Sequence, residues 1–411
     1  MINKIRYFLI LCAFLLVRCE SSDENPIEPA SISEITPLTG QPGTLVKIRG
    51  KNFSKNALEN IVKFNGVRAE IAQVNDTLME VVAPILSKSG LIEIEVRKSK
   101  IIGPEFRYYH LYTYGRSNYA ACFWKDGIQT TLNSVGHVND LVVSGEDIHA
   151  IGFEFLDAIK VPKYWKNNQS IPLEGTNSQT ELTGIVVSNG DVYICGYQRG
   201  TYPINRVAKY WKNGILTFSS TVYDFITASP NDIAVIGNDV YMVGQEYPNA
   251  VLWRNGVPTP LEGTGICSAE RILINDSDIH IVGVEGLGFY SRIFHWKNDI
   301  RMAPLEVNGH AYDISIHNSD VYISGYGYGE QMGTTVAKYW VNGLEKISSP
   351  ISPNRYIAAI EVTDDAIYLL NNQFGELYPY FSVLTKNGQV ITPDYGPGVV
   401  GSIDGMTIVY Y

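Results

Sequence analysis

The sequence lacks the short motifs by which most hydrolases, metalloenzymes and nucleotide-binding proteins are recognised. It contains no His-Glu-x-x-His, no Gly-x-Ser-x-Gly and no phosphate-binding loop, and its 7 histidines show no spacing typical of metal ligands. These absences predict no catalytic residue, no metal and no cofactor. They leave a glycosidase open, because the two carboxylates of such a site need no contiguous motif.

Positive charge and paired cysteines are also scarce. The chain has 32 Lys and Arg against 42 Asp and Glu, a net charge of −10, and its basic residues form no run. This argues against a nucleic acid partner and against charge-driven adhesion to acidic lipids. Only Cys122, Cys195 and Cys267 follow the amino-terminal segment, without a Cys-x-x-Cys pair, so a disulfide framework is not expected.

Long hydrophobic runs are limited to one segment near the start. Lys4 and Arg6 precede an apolar run from Phe8 to Val17, which is too short to span a bilayer comfortably and which ends close to Cys19. A stretch rich in Ser, Asp and Glu follows. This layout resembles a bacterial lipoprotein signal, although Arg18 stands where such signals usually carry a small residue.

The resemblance implies that residues 1–19 are a signal peptide, with Cys19 as the lipid attachment site, and that residues 20–30 are a flexible acidic tether. It further implies an outer-membrane protein held by its lipid alone and exposed at the cell surface. An ordinary secretory signal and an uncleaved anchor are the alternatives.

Residues 31–108 show the pattern of a small β-sandwich. Short alternating runs, such as Leu45 to Ile48 and Leu91 to Val96, are separated by turn residues that include Asn65-Gly66 and Ser89-Gly90. The segment resembles the IPT/TIG family of Ig-like domains. The resemblance is carried by Ile35-Thr36-Pro37, Gly40, Gly43-Thr44, the run Ile48 to Phe53, Phe64-Asn65-Gly66, Pro84, Gly90 and Phe106-Arg107-Tyr108. It implies a spacer or docking module.

Residues 109–411 repeat a unit of four short strands. All six tryptophans occupy one position of the repeat, at spacings of 41, 46, 42, 43 and 44 residues, and Thr385 takes that position in a seventh copy. An Asn- or Asp-containing dipeptide follows two residues after each of these positions and predicts a tight hairpin with positive φ. Four strands without a helical stretch are the content of one propeller blade.

The sequence therefore predicts an all-β chain, with an Ig-like sandwich followed by a seven-bladed β-propeller. If the strands of a blade are named a to d from centre to rim, the region opens with strand c near Tyr119. It closes with strands a and b between Val399 and Tyr410, which would complete the same blade and close the ring. The repeat resembles the Tyr-Trp-Lys-Asn-Gly repeats of exported bacterial proteins, a likeness that implies the fold and no activity.

Binding is predicted on one face of the propeller. The a–b and c–d connections are predicted to be tight turns, whereas the b–c and d–a connections are predicted to be long and variable. In a propeller the latter two emerge on one face, which we call the long-loop face. Exposed aromatic rings suit stacking on sugars or anchoring a protein. The ligand-binding candidates from the b–c regions are Phe155, Tyr197, Tyr202, Tyr247, Tyr290, Tyr326, Tyr328 and Tyr378.

A second set of polar residues recurs two positions after the strand-b glycine. Its members are Glu154, Gln198, Glu246 and Glu285. They could offer acceptors to a ligand, but recurrence in the repeat favours a structural role at the rim.

Three functional hypotheses follow. The first is a surface-anchored, non-catalytic binding protein whose ligand is a glycan or a protein. The second is an extracellular polysaccharide-degrading enzyme, either a glycosidase or a lyase. The third is a structural component of the envelope.

Overall fold

The computed structural model describes residues 28–411, except for residues 86, 134, 201–204, 221–226, 287–290, 330–333, 348–353, 374–381 and 392–400. The predicted lipid attachment site, Cys19, lies outside the described residues. Within them the regular structure is almost entirely β, with one 3-10 turn at Ala57–Glu59. No helix in this part of the chain is long and apolar enough to cross a membrane.

The amino-terminal unit is a β-sandwich of two sheets. One sheet has the order Ser31–Thr36, Leu45–Lys51, Leu78–Val82 and Glu70–Val74. The other has the order Val67–Arg68, Asn60–Phe64, Gly90–Val96 and the first part of Ser99–Ser117, with Thr39–Gly40 pairing in parallel to the last of these strands. Alternate residues of both sheets face a shared core around Val46, Phe64 and Phe106, as the alternating sequence pattern predicts.

The strand Ser99–Ser117 belongs to both units. Its first part pairs with Gly90–Val96 up to Phe106, and its second part pairs with the strand Gly401–Tyr410 from Tyr109 onward. The domain boundary predicted after residue 108 thus falls where the strand changes partners. Continuous backbone pairing through this point joins the sandwich to the propeller without a linker.

Six sheets of the propeller are built from consecutive strands. Blade 1 has strands Gly136–Ser144, Asp147–Leu156, Ile159–Lys166 and Gln169–Ile171. Blade 2 has Thr180–Ser188, Asp191–Arg199, Arg206–Lys212 and Ile215–Ser219. Blade 3 has Ala228–Ile236, Asp239–Glu246, Asn249–Arg254 and Val257–Pro260.

Blades 4 to 6 follow the same order. Blade 4 has Cys267–Asn275, Asp278–Glu285, Arg292–Lys297 and Ile300–Arg301, with Glu306–Val307 also pairing to its third strand. Blade 5 has Gly309–His317, Asp320–Tyr328, Thr335–Val341 and Leu344–Ile347. Blade 6 has Arg355–Val362, Ile367–Gln373, Val383–Lys386 and Gln389–Val390.

The seventh sheet, which we call the closing blade, combines the two ends of the repeat region. Its order is Gly401–Tyr410, the second part of Ser99–Ser117, Ala120–Lys125 and Ile128–Thr131. Each first strand contacts the first strand of the next blade, and Gly401–Tyr410 contacts those of both blade 6 and blade 1. The ring of seven blades is therefore closed, as predicted.

The division of the closing blade differs from the prediction. Only strand a comes from the carboxy-terminal segment, whereas strands b, c and d all come from the amino-terminal side. Strand b is formed by residues from Tyr109 to Ser117, which run on directly from the sandwich and pair with Gly401–Tyr410. The pattern of the other repeat copies did not predict this strand, because no a–b hairpin with its Asp residue precedes residues 109–117 in the sequence.

The tryptophan position forms the contact between neighbouring blades. All six tryptophans are at most 2% exposed. Trp211 of blade 2 packs against Ile151 and Tyr164 of blade 1, and Trp253 of blade 3 packs against blade 2 in the same way. Blade 6 carries Thr385 at this position, and its contact with blade 5 is formed by small and aliphatic side chains with Tyr322 and Tyr339 packed against them. At the six junctions that have a tryptophan, the large buried ring makes the blades interdigitate.

The predicted c–d hairpins are confirmed in all seven blades. The two central residues of each turn have φ between 47° and 83°. Asn, Asp and Gly reach this left-handed region at low cost, which explains why the repeat restricts the dipeptide to these residue types.

A β-bulge in strand a recurs in every blade. The extra residues are Asn139, Thr183, Asn231, Glu270, Tyr312, Ala358 and Asp404. Six of the seven blades have a glycine in strand b opposite the bulge, and a Cβ on Gly152 would lie 2.0 Å from the carbonyl oxygen of His137. Blade 6 has Asn371 at this position. The bulge turns successive side chains toward the long-loop face and into the central channel.

Replacing Trp211 by Ala should lower the free energy of unfolding by about 3–5 kcal/mol, because it empties a packed junction between blades. The matched control is Thr385→Ala at the same repeat position, where about 1 kcal/mol is expected from one weak hydrogen bond. Urea unfolding followed by circular dichroism measures both. Equal losses in the two variants would contradict the role given to the tryptophan.

Candidate ligand-binding site

A cavity of about 420 Å³ opens on the long-loop face at the closing blade. Its lining residues belong to blade 1, the closing blade and blade 6. They lie where strands a and c begin and where strands b end. They are Arg116, His137, Asn139, Phe153, Tyr356, Asn372, Ser382, Ser402 and Asp404. Strand ends from three adjacent blades converge here because the ring brings the two ends of the repeat region together.

The imidazole of His137 contacts Asp404, Asn139 and Phe153. Its Nε2 lies 2.7 Å from Oδ2 of Asp404, and its Nδ1 lies 3.2 Å from Oδ1 of Asn139. The ring of Phe153 stacks on the imidazole with centroids 5.7 Å apart. Burial alone would lower the pKa of His137, but the Asp404 carboxylate and the hydrogen bonds to Asp404 and Asn139 outweigh it and raise the pKa above its usual range.

The cavity contains a buried acceptor that has no hydrogen-bond donor among the described residues. Oδ1 of Asn372 accepts no hydrogen bond from them, while its Nδ2 donates to the carbonyl of Ile403 at 2.8 Å. Buried acceptors are rarely left unpaired in native proteins, so this atom calls for a donor from a ligand or water.

A row of aromatic side chains extends from the cavity across blades 6 and 5. Tyr356 lines the cavity, and its ring centroid lies 4.7 Å from that of Tyr312. Tyr312 in turn lies 6.1 Å from Tyr326, which contacts Tyr328 edge to face at 5.5 Å. These rings are half-buried and together give one wall of the site an amphipathic surface.

The structure brings three of the predicted candidates near this cavity. Tyr326 and Tyr328 belong to the aromatic row, and Phe155 contacts the cavity-lining Phe153 edge to face at 5.4 Å. Phe155 is itself 43% exposed.

Other candidates lie elsewhere or outside the described residues. Tyr197 in blade 2 lies under the Arg206 guanidinium, 4.7 Å from the ring centroid, and Tyr247 in blade 3 is 53% exposed in a two-residue turn. Neither residue lines the cavity. Tyr202, Tyr290 and Tyr378 fall among the residues that the structure does not describe.

The expectation that b–c connections are long is wrong for three blades. Two residues suffice in blade 1, blade 3 and the closing blade, and Phe155, Tyr197, Tyr326 and Tyr328 lie in strand b itself. Strand b extends further than its sequence pattern suggested, because aromatic residues continue its pairing with strand c.

Three of the four recurring acceptors have the structural role that the repeat favoured. Glu154 forms an ion pair with Lys163, Gln198 accepts from Lys209, and Glu285 is bound by Arg301. Each cation belongs to the same blade. These oxygens are therefore engaged within their own sheets.

Among the described residues that line the central channel, Arg271 is the one arginine and lies among several carboxylates. Arg271 of blade 4 shares a narrow cavity of about 180 Å³ with Asp140, Asp232 and Asp313, the residues that follow the bulges of blades 1, 3 and 5. Each aspartate accepts from the backbone N–H of the next blade, at Ile185, Ile272 and Ile360, with distances of 3.0 Å. These hydrogen bonds link blade 1 to blade 2, blade 3 to blade 4 and blade 5 to blade 6.

Burial sets the ionisation of these channel groups. It raises the pKa of Asp232 and Asp313 to about 6, against the opposing charge of Arg271. Glu361 of blade 6 has its pKa raised to about 8, first by burial and then by the charge of Asp313. The described residues contain no group of three or more His, Cys, Asp or Glu side chains placed to hold a metal. The hydrogen bonds to neighbouring blades give the channel aspartates a structural role.

Most cavity residues were missed by the sequence reasoning. Asn139 and Asp404 occupy the bulge of strand a, and Tyr356 and Ser402 lie just before the bulges of their strands. Alignment of the repeats at that position would have shown its variability, but the bulge itself has no sequence signature other than the opposing glycine.

Residues 30–114 match the family model of the IPT/TIG domain, which confirms the sandwich as a domain of that family. A search of curated proteins finds no match.

Several solved structures resemble the chain weakly. A protein of unknown function from Bacteroides thetaiotaomicron has a TM-score of 0.39 at 12% identity, with 84% of this chain and 96% of that chain covered. An auxiliary nutrient binding protein from Bacteroides ovatus has a TM-score of 0.33 at 14% identity, covering 73% and 96%. Acylaminoacyl peptidase from Pyrococcus horikoshii has a TM-score of 0.41 at 11% identity, covering 90% and 53%. Likeness at this level carries no argument about ligand or activity.

Replacing Glu361 by Gln should flatten the fall of stability at rising pH. The unfolded chain loses the Glu361 proton near pH ~4.3, whereas the folded protein keeps it up to about pH 8. Between these values the folded state binds more protons, so stability decreases as pH rises. Urea midpoints at pH ~5 and ~8.5 should differ less in the variant than in the parent.

The control for this change is Glu93→Gln on the exposed side of the sandwich, which should leave the pH dependence as in the parent. An unchanged pH dependence of stability in the Glu361 variant would show that the Glu361 carboxyl of the folded protein is ionised across this pH range.

Proposed function

We propose that the protein is a lipid-anchored, non-catalytic binding protein of the cell surface, whose ligand is a glycan held in the cavity of the closing blade. The cavity, with the unpaired buried Oδ1 of Asn372, carries this proposal. A sugar hydroxyl is a donor that would satisfy Asn372, and sugar hydroxyls can also accept from Arg116 and Ser402.

The wall of the cavity supports the same ligand class. Sugar rings have apolar C–H faces that pack on aromatic rings, and Tyr356 offers such a ring beside the polar floor. A protein ligand would rely on a broad contact area, whereas here the polar groups converge within one concavity, as is typical of small-molecule sites.

Anchoring rests on the amino-terminal segment. With Cys19 lipidated, residues 20–30 would tether the sandwich at the membrane, and the sandwich would act as a spacer that holds the propeller outward. The backbone continuity through Ser99–Ser117 supports a rigid spacer, because the long-loop face then keeps a set orientation to the tether.

A glycan array probed with the purified protein identifies the ligand, and calorimetry with that ligand tests the site. Tyr356→Ala should weaken binding by about 1–2 kcal/mol, because a stacking surface is lost. Tyr247→Ala is the matched control, since Tyr247 is exposed in blade 3 but does not line the cavity. Equal affinity of both variants and the parent would exclude the cavity as the site.

The same array separates the other hypotheses. Release of shorter saccharides from a bound polysaccharide would identify an enzyme instead, and the absence of any ligand would favour a structural component of the envelope.

Lipid attachment has its own test. Labelling cells with radioactive palmitate should mark the parent and a Cys12→Ser variant, whose cysteine lies within the apolar run. Cys19→Ser should lose the label and leave the membrane fraction. Label retained by the Cys19 variant would refute the proposed anchor.

A further inference from the structure

Three positions of the repeat supply most of the cavity lining. They are the residue two before the strand-a bulge, the bulged residue itself, and the strand-b residue that pairs with the first of these across the sheet. Every described lining residue except Ser382 occupies one of them. Because the strand pairing at these positions is the same in every blade, the residues found there in neighbouring blades show how far the site continues.

Blade 5 carries aromatic rings at all three positions. They are His310, Tyr312 and Tyr326, and His310 pairs with Tyr326 across the two strands. The ring centroid of His310 lies 4.8 Å from that of Tyr312 and 6.1 Å from that of Tyr326. Blade 5 therefore continues the surface of the cavity with rings that contact one another. We call these three residues the blade 5 platform.

The platform repeats an arrangement found in blade 1. There His137 pairs with Phe153, and their rings are stacked at 5.7 Å with an interplanar angle of 11°. His310 and Tyr326 are stacked at 6.1 Å with an angle of 13°. The same pair of positions holds Glu181 and Tyr197 in blade 2, Ser229 and Gln245 in blade 3, and Ser268 and Val284 in blade 4. The stacked pair thus occurs in the two blades that flank blade 6 and the closing blade.

The bulge position differs in its use between blades 1 to 3 and blade 5. In blades 1 to 3 the bulged side chain donates to a backbone carbonyl of the next blade. The donors and acceptors are Asn139 and Leu182 at 2.8 Å, Thr183 and Pro230 at 2.8 Å, and Asn231 and Ala269 at 2.9 Å. In blade 5 the ring of the bulged Tyr312 packs on Tyr356 of blade 6, with centroids 4.7 Å apart. Blade 5 therefore presents aromatic surface at a position that blades 1 to 3 use to bind their neighbours.

Rings that could contact a ligand lie on both sides of the cavity. On the blade 1 side, Phe155 is 43% exposed and is supported edge to face by the cavity-lining Phe153. On the other side, Tyr356, Tyr312 and Tyr326 are each half-buried and follow one another from blade 6 to blade 5. Because sugar rings pack their apolar C–H faces on aromatic rings, both sides offer contacts to further sugar residues.

We propose that the site binds an internal segment of a linear glycan chain. One sugar residue occupies the cavity, and its neighbours in the chain pack on Phe155 at one side and on Tyr356 and the blade 5 platform at the other. This inference rests on the proposed function and specifies the form of the ligand. A monosaccharide or a chain end in the cavity would use the rings of one side at most, whereas rings on both sides suit a chain that continues in both directions.

The experiment measures affinity as a function of chain length. The array carries linear homo-oligosaccharides of glucose, mannose, xylose and galactose, from the monosaccharide to the hexasaccharide, and the series that binds is titrated by calorimetry with the full-length protein in detergent. Affinity should rise about tenfold from the disaccharide to the hexasaccharide, because further sugar residues reach further rings. A methyl group on the reducing end of the hexasaccharide should leave its affinity unchanged, since the chain ends lie outside the cavity.

Two variants test the rings on the two sides. Tyr326→Ala and Phe155→Ala should each weaken binding of the hexasaccharide about fivefold and leave binding of the disaccharide unchanged, which also shows that the variant is folded. The matched controls are Tyr197→Ala and Tyr247→Ala, which occupy the same positions relative to the strand-b glycine in blades 2 and 3. Both controls should bind the hexasaccharide as the parent does.

The outcomes separate this inference from the proposed function. If the disaccharide binds as tightly as the hexasaccharide, or if the only glycans bound are branched ones or chain ends, the extended site is wrong while glycan binding stands. A loss in Tyr326→Ala that is equal for short and long chains would overturn the blade 5 platform. If no glycan on the array binds, the inference and the proposed function are both overturned.

Discussion

The pairing of Gly401–Tyr410 with residues from Tyr109 to Ser117 is the interaction on which the rest of the structure depends. It supplies the inner strand of the closing blade and completes the contacts between blades 6 and 1. It also places Asp404 beside His137, which lies far away in the chain. Without this pairing the propeller has two open sheet edges, and the cavity has no floor.

The same strand also secures the sandwich. The N–H of Tyr411 donates to the carbonyl of Tyr108 at 2.9 Å, and its ring stacks on His110 with centroids 4.1 Å apart. Gln41 of the sandwich donates to Asp126 in the c–d turn of the closing blade at 2.6 Å. Ring closure and domain docking therefore share the carboxy-terminal segment, and loosening the closing strand would disturb both.

The strand-a bulge explains how one repeated scaffold acquires a specific site. It recurs in all seven blades, so the backbone is nearly constant, but the residues at and after it vary from blade to blade. In blades 1, 3 and 5 the following residue is an aspartate that binds the next blade, whereas in the closing blade the bulged Asp404 faces a cavity. Because the backbone at the bulge is nearly the same in every blade, a different side chain at this position changes the chemistry of the site without changing its geometry.

The sequence alone determined the repeat, the blade count, the ring closure, the c–d turns and the sandwich, because these follow from local patterns: periodic tryptophans, positive-φ dipeptides and alternating strands. It also pointed to the long-loop face, where Tyr326, Tyr328 and Phe155 do lie near the cavity. Only the tertiary structure decided which residues form that cavity. Arg116, His137, Tyr356 and Asp404 come from three blades and meet because the ring closes, and no local pattern encodes a contact between residues so distant in the chain.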